Sequence, residues 1–371
     1  MSAQHDVQSI ASHFRLTGRL RSTVPFGSGH INDTYRLLCE EDGRPKSYIL
    51  QRINHQVFRK PPEMMENIRR VTQHIRRKLE SDSSDLAHRQ LTLVPTEEGA
   101  NFFQDAHGNY WRVYNCIEGA LTYDTLDSPE LAREAARMFG WFQRMLTDLP
   151  GPPLYETIPN FHNTPKRLDD FRDMLRRDPC NRAVDAGLEI DFVLQNADMC
   201  DALVKLADDG QIPVRTTHND TKINNVMMDE ETHRGVCVID LDTVMPGLSL
   251  YDFGDMVRTA TNPAGEDEQD LSKVAMRISV FNQLVEGFAC ETYGFLTPAE
   301  KQRLTLAARL ITFEQMIRFL GDYLAGDVYY KTQRPNQNLD RSRTQMKMVK
   351  SIVEQEDAMN AIVERTFRRL S

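Results

Sequence analysis

The sequence lacks the patterns that mark zinc-binding, disulfide-rich and membrane-spanning proteins. Its 371 residues include six cysteines, and no two of them form a C-x-x-C pair. Neither a zinc site nor a disulfide framework is therefore expected. No apolar run reaches the length of a membrane-spanning helix, and there is no internal repeat or low-complexity tract. What remains is a globular chain long enough to build two lobes, each with its own core.

The chain also carries more negative than positive charge. The net charge is −9, with 45 Lys and Arg residues against 54 Asp and Glu residues. Nucleic-acid binding needs clustered basic side chains, and the basic segment 69–78 alternates with apolar positions, as a solvated helix face does. The first residues lack the basic start and apolar core of a signal peptide. We therefore expect a cytoplasmic protein with no nucleic-acid or membrane partner.

The first third of the chain is predicted to be rich in β-structure. Short runs of β-branched, aromatic and apolar residues between turn residues predict strands at 34–40, 47–53, 91–94 and 110–117. One helix, at 61–79, begins with a Pro-Pro-Glu sequence and carries apolar residues at helical spacing.

From Ser128 onward the spacing of apolar residues becomes mostly helical, for example at 164–177 and 188–208. The whole pattern predicts an α+β fold with two lobes. We place a small β-rich lobe at residues 1–117, expected to bind a nucleotide, and a larger helical lobe at residues 118–371, expected to carry catalysis and the acceptor.

The helical part is interrupted by a polar loop that carries a spaced set of chemically active side chains. The pattern H-x-D-x-K-x-x-N is formed by His218, Asp220, Lys222 and Asn225. An apolar strand predicted at 235–242 follows and delivers Asp240. Phosphoryl transfer from a nucleotide needs a carboxylate to accept the proton of the attacking hydroxyl, a cation for the moving charge and one or two oxygen ligands for Mg²⁺. An isolated Asp or Asn-Asn pair is usually a cap or a turn, but the combination favours catalysis.

The same segments resemble the kinase-like superfamily, in its branch of aminoglycoside phosphotransferases, choline kinases and homoserine kinases. Within that branch "HNDTKINNVMMD", "VIDLDTVMPG" and "YDFGDMVR" are similar to the N-acetylhexosamine 1-kinases, as are "VPFGSGHINDTYRL", "YILQRIN" and "RFLGDYLAGDVYYK". The resemblance covers most of the chain. It implies a two-lobed protein-kinase-like fold, ATP as the phosphate donor, Mg²⁺ as the cofactor and an amino sugar as the acceptor.

The resemblance also implies a role for each residue of the two central motifs. Asp220 matches the catalytic base, and Lys222 matches a lysine that contacts the transferring phosphate. Asn225 and Asp240 match the magnesium ligands. His218 matches a histidine that braces the loop.

Three other aspartates lie near these motifs, and their expected roles differ from those of Asp220 and Asp240. Asp252 and Asp255, in "YDFGD", are expected to brace the catalytic loop or to cap a helix. The role of Asp242 stays open. Strand alternation would point its side chain the same way as that of Asp240, towards the metal or the acceptor.

For the nucleotide, Gly27, Ser28 and Gly29 are expected to form the loop over the phosphates, because glycine lets backbone N–H groups approach an anion. Arg52 stands where protein kinases have a strand lysine, with Glu66 as its expected partner. A guanidinium can grip phosphate oxygens with two parallel hydrogen bonds. The alternative is that Arg52 is a surface residue of an edge strand.

For the acceptor, Arg318 and Tyr329 are the expected contacts, because sugars bind to hydrogen-bonding side chains beside an aromatic wall. The alternative is a solvated helix end whose tyrosines pack inward. His30 and Asp33, just past the glycine-rich turn, are expected to reach the acceptor or the phosphates.

Two rival functions remain open. One keeps the chemistry but uses another small alcohol, such as homoserine, choline or an aminoglycoside, although a choline site would need carboxylates and aromatic rings around the amine. The other is an inactive kinase fold that only binds a nucleotide or a partner. The oligomeric state and the sugar epimer are not encoded in any of these motifs.

Overall fold

The computed structural model describes residues 5–27, 31–81, 89–123 and 128–371. The chain separates into two compact units. The first unit consists of Met1–Leu121, Asp148–Pro159 and Met227–Met245, and the second of Thr122–Thr147, Asn160–Val226 and Pro246–Ser371. The prediction of a single division between residues 117 and 118 stays a prediction.

The first unit is built on a twisted antiparallel sheet. Its strands are β1 (Arg19–Pro25), β2 (Asp33–Glu41), β3 (Arg44–Ile53), β4 (Leu93–Val94), β5 (Phe103–Gln104) and β6 (Tyr110–Asn115). They lie in the order β1-β2-β3-β6-β4, and β5 also pairs with β6. Leu37, Leu50, Trp111 and Val113 are fully buried on one face, where they form a core with the short helix α1 (Val7–Ala11). Buried and less buried side chains alternate in the second half of β2, whereas four consecutive residues of the inner strand β6 are buried, as in a strand covered on both faces.

Helix α2 (Pro61–Ser81) and two later chain segments complete the first unit. The buried Asn67 of α2 exchanges hydrogen bonds with the backbone of Tyr155, at 2.7 and 2.9 Å, and donates to the Val244 carbonyl at 3.0 Å. A buried amide that is fully bonded fixes its neighbours strongly. This one joins the segments 148–159 and 227–245 to the helix.

Three short strands form a second sheet. They are β7 (Ala120–Leu121), β9 (Val226–Asp229) and β10 (Gly235–Val238), in the order β10-β9-β7. Strands β8 (Arg215–Thr217) and β11 (Met245–Gly247) form a separate pair.

The second unit is mostly helical. Its helices in the described residues are α3 (Pro129–Met145), α4 (Thr164–Arg177), α5 (Gly187–Gln195), α6 (Ala202–Asp208), α7 (Ser249–Ala260), α8 (Ile278–Thr292), α9 (Pro298–Gln302), α10 (Leu304–Ala325), α11 (Gln337–Glu354) and α12 (Glu356–Leu370). Helix α10 lies at the centre, and 17 of its 22 residues are buried. A helix that is apolar nearly all round belongs inside a protein.

The structure confirms the α+β class, and it corrects two of the expected elements. The helix expected at 188–208 is broken between Gln195 and Ala202, where Asn196 ends α5 and donates its side-chain amide to the Phe192 carbonyl at 2.9 Å. The strand expected at 235–242 ends at Val238. Among the described residues, no helix combines the length and the apolar character needed to cross a membrane.

Candidate functional site

The H-x-D-x-K-x-x-N segment forms a tightly turned loop in the second unit, between β8 and β9. Asn219 adopts a left-handed conformation with φ of 66°, which asparagine tolerates better than most residues. The chain therefore reverses just before Asp220. Ile223–Asn225 then form a 3₁₀ turn that leads into β9.

Two carboxylates of α7 accept hydrogen bonds from the backbone of this loop. Asp252 accepts the backbone N–H groups of His218 at 3.0 Å and Asn219 at 2.7 Å. Asp255 accepts the backbone N–H of Thr221 at 2.9 Å. Both aspartates are buried, and burial raises the pKa of Asp252 despite the hydrogen bonds that it accepts. The prediction that Asp252 and Asp255 brace the loop that contains Asp220 is confirmed.

His218 is part of the same brace. Its ring is fully buried, edge-on to Phe139 and Phe142 at centroid distances of 5.4 and 5.8 Å. Its Nδ1 atom accepts the backbone N–H of Asp220 at 3.3 Å. The structure therefore confirms that this histidine supports the loop.

Asp220, Lys222 and Asn225 are brought together, as their spacing predicted. Lys222 Nζ lies 3.0 Å from Asp220 Oδ1. Asn225 Nδ2 donates to the Asp220 backbone carbonyl at 2.8 Å and to Oδ2 at 3.3 Å. The Asp220 side chain is 24% exposed, so a ligand can reach it. One carboxylate is thus held between a cation and an amide.

The charges of this group suit a proton acceptor. Burial acts to raise the pKa of Asp220, but the Lys222 ammonium outweighs it and leaves the pKa below its usual value. Asp220 in turn raises the pKa of Lys222. Both groups are therefore ionised at neutral pH, Asp220 as a carboxylate that can accept a proton and Lys222 as an ammonium.

Asn225 has the geometry of an oxygen ligand. Because its Nδ2 atom is bound to Asp220, its carbonyl Oδ1 is the atom suited to a hard cation. The described residues contain no group of three or more His, Cys, Asp or Glu that could hold a metal ion. Magnesium bound with a nucleotide needs only one or two protein oxygens, so the predicted ligand type fits.

A turn just after β10 gives Asp240 and Asp242 different environments. Asp240 is exposed and has a left-handed φ of 58°, and Leu241–Thr243 then form a 3₁₀ turn. Strand alternation therefore does not apply, and the two carboxylates face different surroundings. Asp242 is buried within the first unit, where Arg112 Nη1 donates to its Oδ1 and Asn32 Nδ2 donates to its Oδ2 at 2.8 Å. Both oxygens of Asp242 are thus used inside the protein.

The predicted pairing of Arg52 with Glu66 is wrong. Arg52 lies on β3 directly opposite Asp33 on β2, and it donates to Asp33 Oδ2 from Nε at 2.8 Å and Nη2 at 2.5 Å. Glu66 instead pairs with Arg69, one turn further along α2, at 2.5 Å. Asp33 thus pairs with an arginine directly opposite on the facing strand, and Glu66 pairs with an arginine one turn away on the same helix. β3 is an inner strand, so Arg52 is not an edge residue.

Only part of the predicted glycine-rich turn lies in the described residues. Gly27 has a φ of 81°, and a side-chain Cβ at this position would meet no atom within 4 Å, so backbone conformation rather than crowding favours glycine there. Ser28, Gly29 and His30 lie outside the described residues. The nucleotide-binding roles of this turn and of Arg52 stay predictions.

A cavity of about 220 Å³ opens in the second unit between α4 and α10. Arg318 and Tyr329 both line it. The Arg318 guanidinium lies over the rings of Phe161 and Tyr330, at 5.0 and 5.8 Å from their centroids, and donates to Gln315 Oε1 at 3.0 Å. Arg318 forms no ion pair with any described residue, so its charge faces a cavity walled by aromatic rings.

The loop after α10 is shaped by Asp322. Its carboxylate accepts the backbone N–H groups of Val328, Tyr329 and Tyr330 at 2.7–3.0 Å. Tyr323 is buried, whereas Tyr329 is 57% exposed. The inward packing of all the tyrosines is therefore ruled out, and Asp322 fixes the position of the exposed one.

Arg167 was not anticipated from the sequence. This residue of α4 lines the cavity with Arg318 and donates from Nε and Nη2 to the Phe161 carbonyl, at 3.2 and 3.0 Å. Burial and the neighbouring Arg318 lower its pKa. The helix was predicted correctly, but which of its residues faces α10 depends on the tertiary fold.

Comparisons with known proteins identify the family of the chain and support its fold. A model of the phosphotransferase enzyme family matches residues 22–275, more than half of the chain. A solved aminoglycoside phosphotransferase from Alicyclobacillus acidocaldarius is 14% identical, with a TM-score of 0.59 over 100% of this chain and 98% of that one. An ethanolamine kinase from Plasmodium vivax is 12% identical, with a TM-score of 0.54 over 88% and 82%.

A spectinomycin phosphotransferase, solved in complex with ADP and spectinomycin, is 14% identical, with a TM-score of 0.51 over 94% of this chain and 93% of that one. At such identities the likeness concerns the fold, and it confirms the predicted kinase-like α+β class. The family model, which rests on the sequence itself, goes further: the chain belongs to the phosphotransferase enzyme family.

Proposed function

We propose that this phosphotransferase moves the γ-phosphoryl group of ATP to the anomeric hydroxyl of an N-acetylhexosamine, giving a sugar 1-phosphate. The observation that carries the catalytic part is the ionised Asp220, held between Lys222 and Asn225 on a braced loop. The choice of acceptor is supported by the motifs that resemble N-acetylhexosamine 1-kinases and by the cavity beside Arg318.

In this proposal Asp220 orients the sugar hydroxyl and accepts its proton as the phosphoryl group is transferred. The Lys222 ammonium, 3.0 Å from Asp220 in the free protein, moves to the transferring phosphoryl group, whose charge it offsets. The α7 carboxylates keep the loop rigid, because they bind its backbone N–H groups rather than its reactive side chains. A base held within a few tenths of an ångström can bring the reactants into line.

Mg²⁺ is the proposed cofactor, with the Asn225 carbonyl and the Asp240 carboxylate as its protein ligands. When bound, it would offset the negative charge that develops on the transferring phosphoryl group. Gly27, Ser28, Gly29 and Arg52 are the proposed phosphate contacts. Glu66 is not needed as the partner of Arg52 in this scheme, since Asp33 holds that guanidinium.

The acceptor is proposed to lie against Arg318 and Tyr329. Arg318 can donate to ring hydroxyl or acetamido oxygens, since its charge has no ion-pair partner among the described residues. The exposed Tyr329 supplies an aromatic wall. A cavity of about 220 Å³ is small for a drug-sized ligand, which suits a monosaccharide.

The two arginines of the cavity favour one second candidate. Arg167 and Arg318 both line it, so an acceptor alcohol with a carboxylate, such as homoserine, would also find a charge partner. Asp170 and Asp322 also line the cavity, but Asp170 is paired with Lys166 and the Asp322 carboxylate is bound by three backbone N–H groups. Acceptors with a cationic amine, such as choline or ethanolamine, are therefore disfavoured. An inactive fold is disfavoured because Asp220, Lys222 and Asn225 keep a complete reactive geometry.

The test is ADP release from Mg-ATP against a panel of N-acetylglucosamine, N-acetylgalactosamine, the unacetylated hexoses, homoserine and choline. We expect turnover with the N-acetylated sugars and an acid-labile phosphate in the product. Turnover with homoserine alone would move the proposal to the second candidate. No ADP release with any acceptor would contradict the proposed activity and favour a protein that only binds a nucleotide.

A further inference from the structure

Behind the catalytic loop lies a buried pair of ionisable groups that the proposed chemistry does not use. His162 and Glu314 are 8% and 1% exposed. His162 Nδ1 lies 2.8 Å from Glu314 Oε1, and its Nε2 lies 3.0 Å from the backbone carbonyl oxygen of Asn219. Thr164 donates its hydroxyl to Glu314 Oε2 at 2.6 Å. All four residues belong to the second unit.

The carbonyl of Asn219 fixes Nε2 as a donor, and the ionised Glu314 makes Nδ1 a donor as well. A backbone carbonyl only accepts hydrogen bonds, and an ionised carboxylate only accepts them. Both ring nitrogens of His162 must therefore carry a proton, which makes the ring an imidazolium paired with the Glu314 carboxylate. Burial acts to lower the pKa of His162, but Glu314 more than offsets this and the pKa is raised. The pKa of Glu314 is lowered, because His162 outweighs the effect of burial.

The bond to Asn219 holds one side of the peptide that carries the proposed base. The carbonyl of the Asn219–Asp220 peptide accepts from His162, while the N–H of the same peptide donates to His218 Nδ1 at 3.3 Å. A peptide unit is planar, so binding its two ends fixes the plane from which the Asp220 side chain projects. The left-handed φ of Asn219, at 66°, is a conformation that needs such support.

The same pair joins the loop to the cavity. Glu314 lies on α10 one turn before Arg318, which lines the cavity. Phe161, the residue before His162, lies under the Arg318 guanidinium, and its carbonyl accepts from Arg167, which also lines the cavity. A ligand drawn to Arg318 thus meets the helix that also carries the partner of His162.

We propose that His162 is a positioning residue, whose protonated ring clamps the Asn219 carbonyl and so orients Asp220 towards the acceptor, with Glu314 anchoring the clamp to the cavity helix. The inference rests on the proposed function in taking Asp220 as the base. It predicts a defect in the chemical step and not in substrate binding.

A matched pair of variants separates this role from simple packing. The amide nitrogen of glutamine occupies about the position of Nε2, so His162→Gln keeps the donor to Asn219 and loses the donor to Glu314. Asparagine is shorter and places its amide near Nδ1, so His162→Asn does the reverse. We expect His162→Asn to lower kcat roughly 10- to 100-fold, the effect of a misplaced reacting group. KM values for ATP and acceptor should change less than about threefold, and His162→Gln should keep most of kcat.

Equal losses of kcat in the two variants, or a rise in KM without a fall in kcat, would overturn the proposal. Thermal unfolding of both variants shows whether each is folded. If His162→Asn does not fold, Glu314→Gln takes its place, because its amide can donate to Nδ1 of a neutral ring that still donates from Nε2. We then expect most of kcat to remain, and a loss above 10-fold would contradict the clamp.

A second readout does not depend on activity. In protein with ¹⁵N-labelled histidine, the His162 signals are identified by their absence from the spectra of the two variants. At pH 7.5 we expect both ring nitrogens of His162 to show the shift of a protonated imidazole nitrogen. An unprotonated Nε2 would refute the clamp even in an active enzyme, and an unprotonated Nδ1 would refute the imidazolium that the clamp is proposed to contain. Protonated nitrogens in a protein that transfers phosphate to no acceptor would refute the proposed function instead.

Discussion

Replacing Asp242 with asparagine removes the charge from one half of an ion pair inside the first unit. The side chains of Arg112 and Asp242 are 1% and 3% exposed. Arg112 also donates from Nε to Gln51 Oε1 at 3.0 Å, and Asn32 donates to Asp242 at 2.8 Å. Asp242→Asn leaves the guanidinium buried with only neutral partners. Breaking a buried pair in this way costs about 3–5 kcal/mol of unfolding free energy, and we expect about 3 kcal/mol here because the amide oxygen can still accept.

The chain offers a matched control and a local reporter. Asp33→Asn also removes a carboxylate bound to an arginine, Arg52, but these side chains are 47% and 28% exposed, so a loss below about 1 kcal/mol is expected. The chain has two tryptophans, of which Trp111 is fully buried in the first unit. In a Trp141→Phe background, urea unfolding followed by fluorescence therefore reports on that unit.

The double variant Arg112→Met with Asp242→Leu completes the measurement. Apolar side chains of similar size can replace a buried ion pair with little loss of stability, so the double variant should recover most of what Asp242→Asn loses. A loss below about 1 kcal/mol for Asp242→Asn, or one equal to that of Asp33→Asn, would refute the view that burial makes this pair costly to break.

Two further predictions concern stability. Asp105 accepts hydrogen bonds from Trp111 Nε1 and from neighbouring backbone N–H groups, which together outweigh the effect of burial and lower its pKa to about 2. Its contribution to stability should therefore be complete above about pH 4 and be lost as the pH falls towards 2, and Asp105→Asn should flatten the acid side of the curve of unfolding free energy against pH. Gly287 lies where a Cβ would come 2.0 Å from the Arg133 backbone oxygen, so Gly287→Ala should cost about 1–3 kcal/mol in thermal unfolding. Gly321→Ala, in a helix with nothing within 4 Å of the new atom, should instead stabilise by about 0.5–1 kcal/mol. Equal effects of the two substitutions would contradict the close approach of α8 to the α3 backbone at Gly287.

Much of the fold was predictable where the signals are local. Helix α4 begins at Thr164 and ends at Arg177, as its spacing predicted, because Asn163 caps its first turn and a proline follows at once. Strands β2 and β3 contain the predicted segments 34–40 and 47–53. The prediction of a strand at 235–242 was wrong in its second half, because β10 ends at Val238. The sequence does not show that Asp242 is buried and bound to the distant Arg112, so it resembles an ordinary strand residue.

The candidate site was also predictable only where its contacts join residues that are close in sequence. Asp220, Lys222 and Asn225 lie on one short loop, so their spacing sufficed to predict that they meet. Arg112 is 130 residues from Asp242, and His162 is 152 residues from Glu314. No local pattern pairs such residues, since their contact depends on how helices and sheet are packed.

The central claim is that Asp220 acts as the base in phosphoryl transfer to an anomeric hydroxyl. The most direct measurement is the ³¹P NMR spectrum of the product formed from Mg-ATP and N-acetylglucosamine by the wild-type protein and by Asp220→Asn. We expect a phosphorus signal coupled to the anomeric proton with the wild-type protein, and turnover nearly abolished in the variant while ATP still binds. A phosphate on another hydroxyl, or equal rates with and without the Asp220 carboxylate, would contradict it.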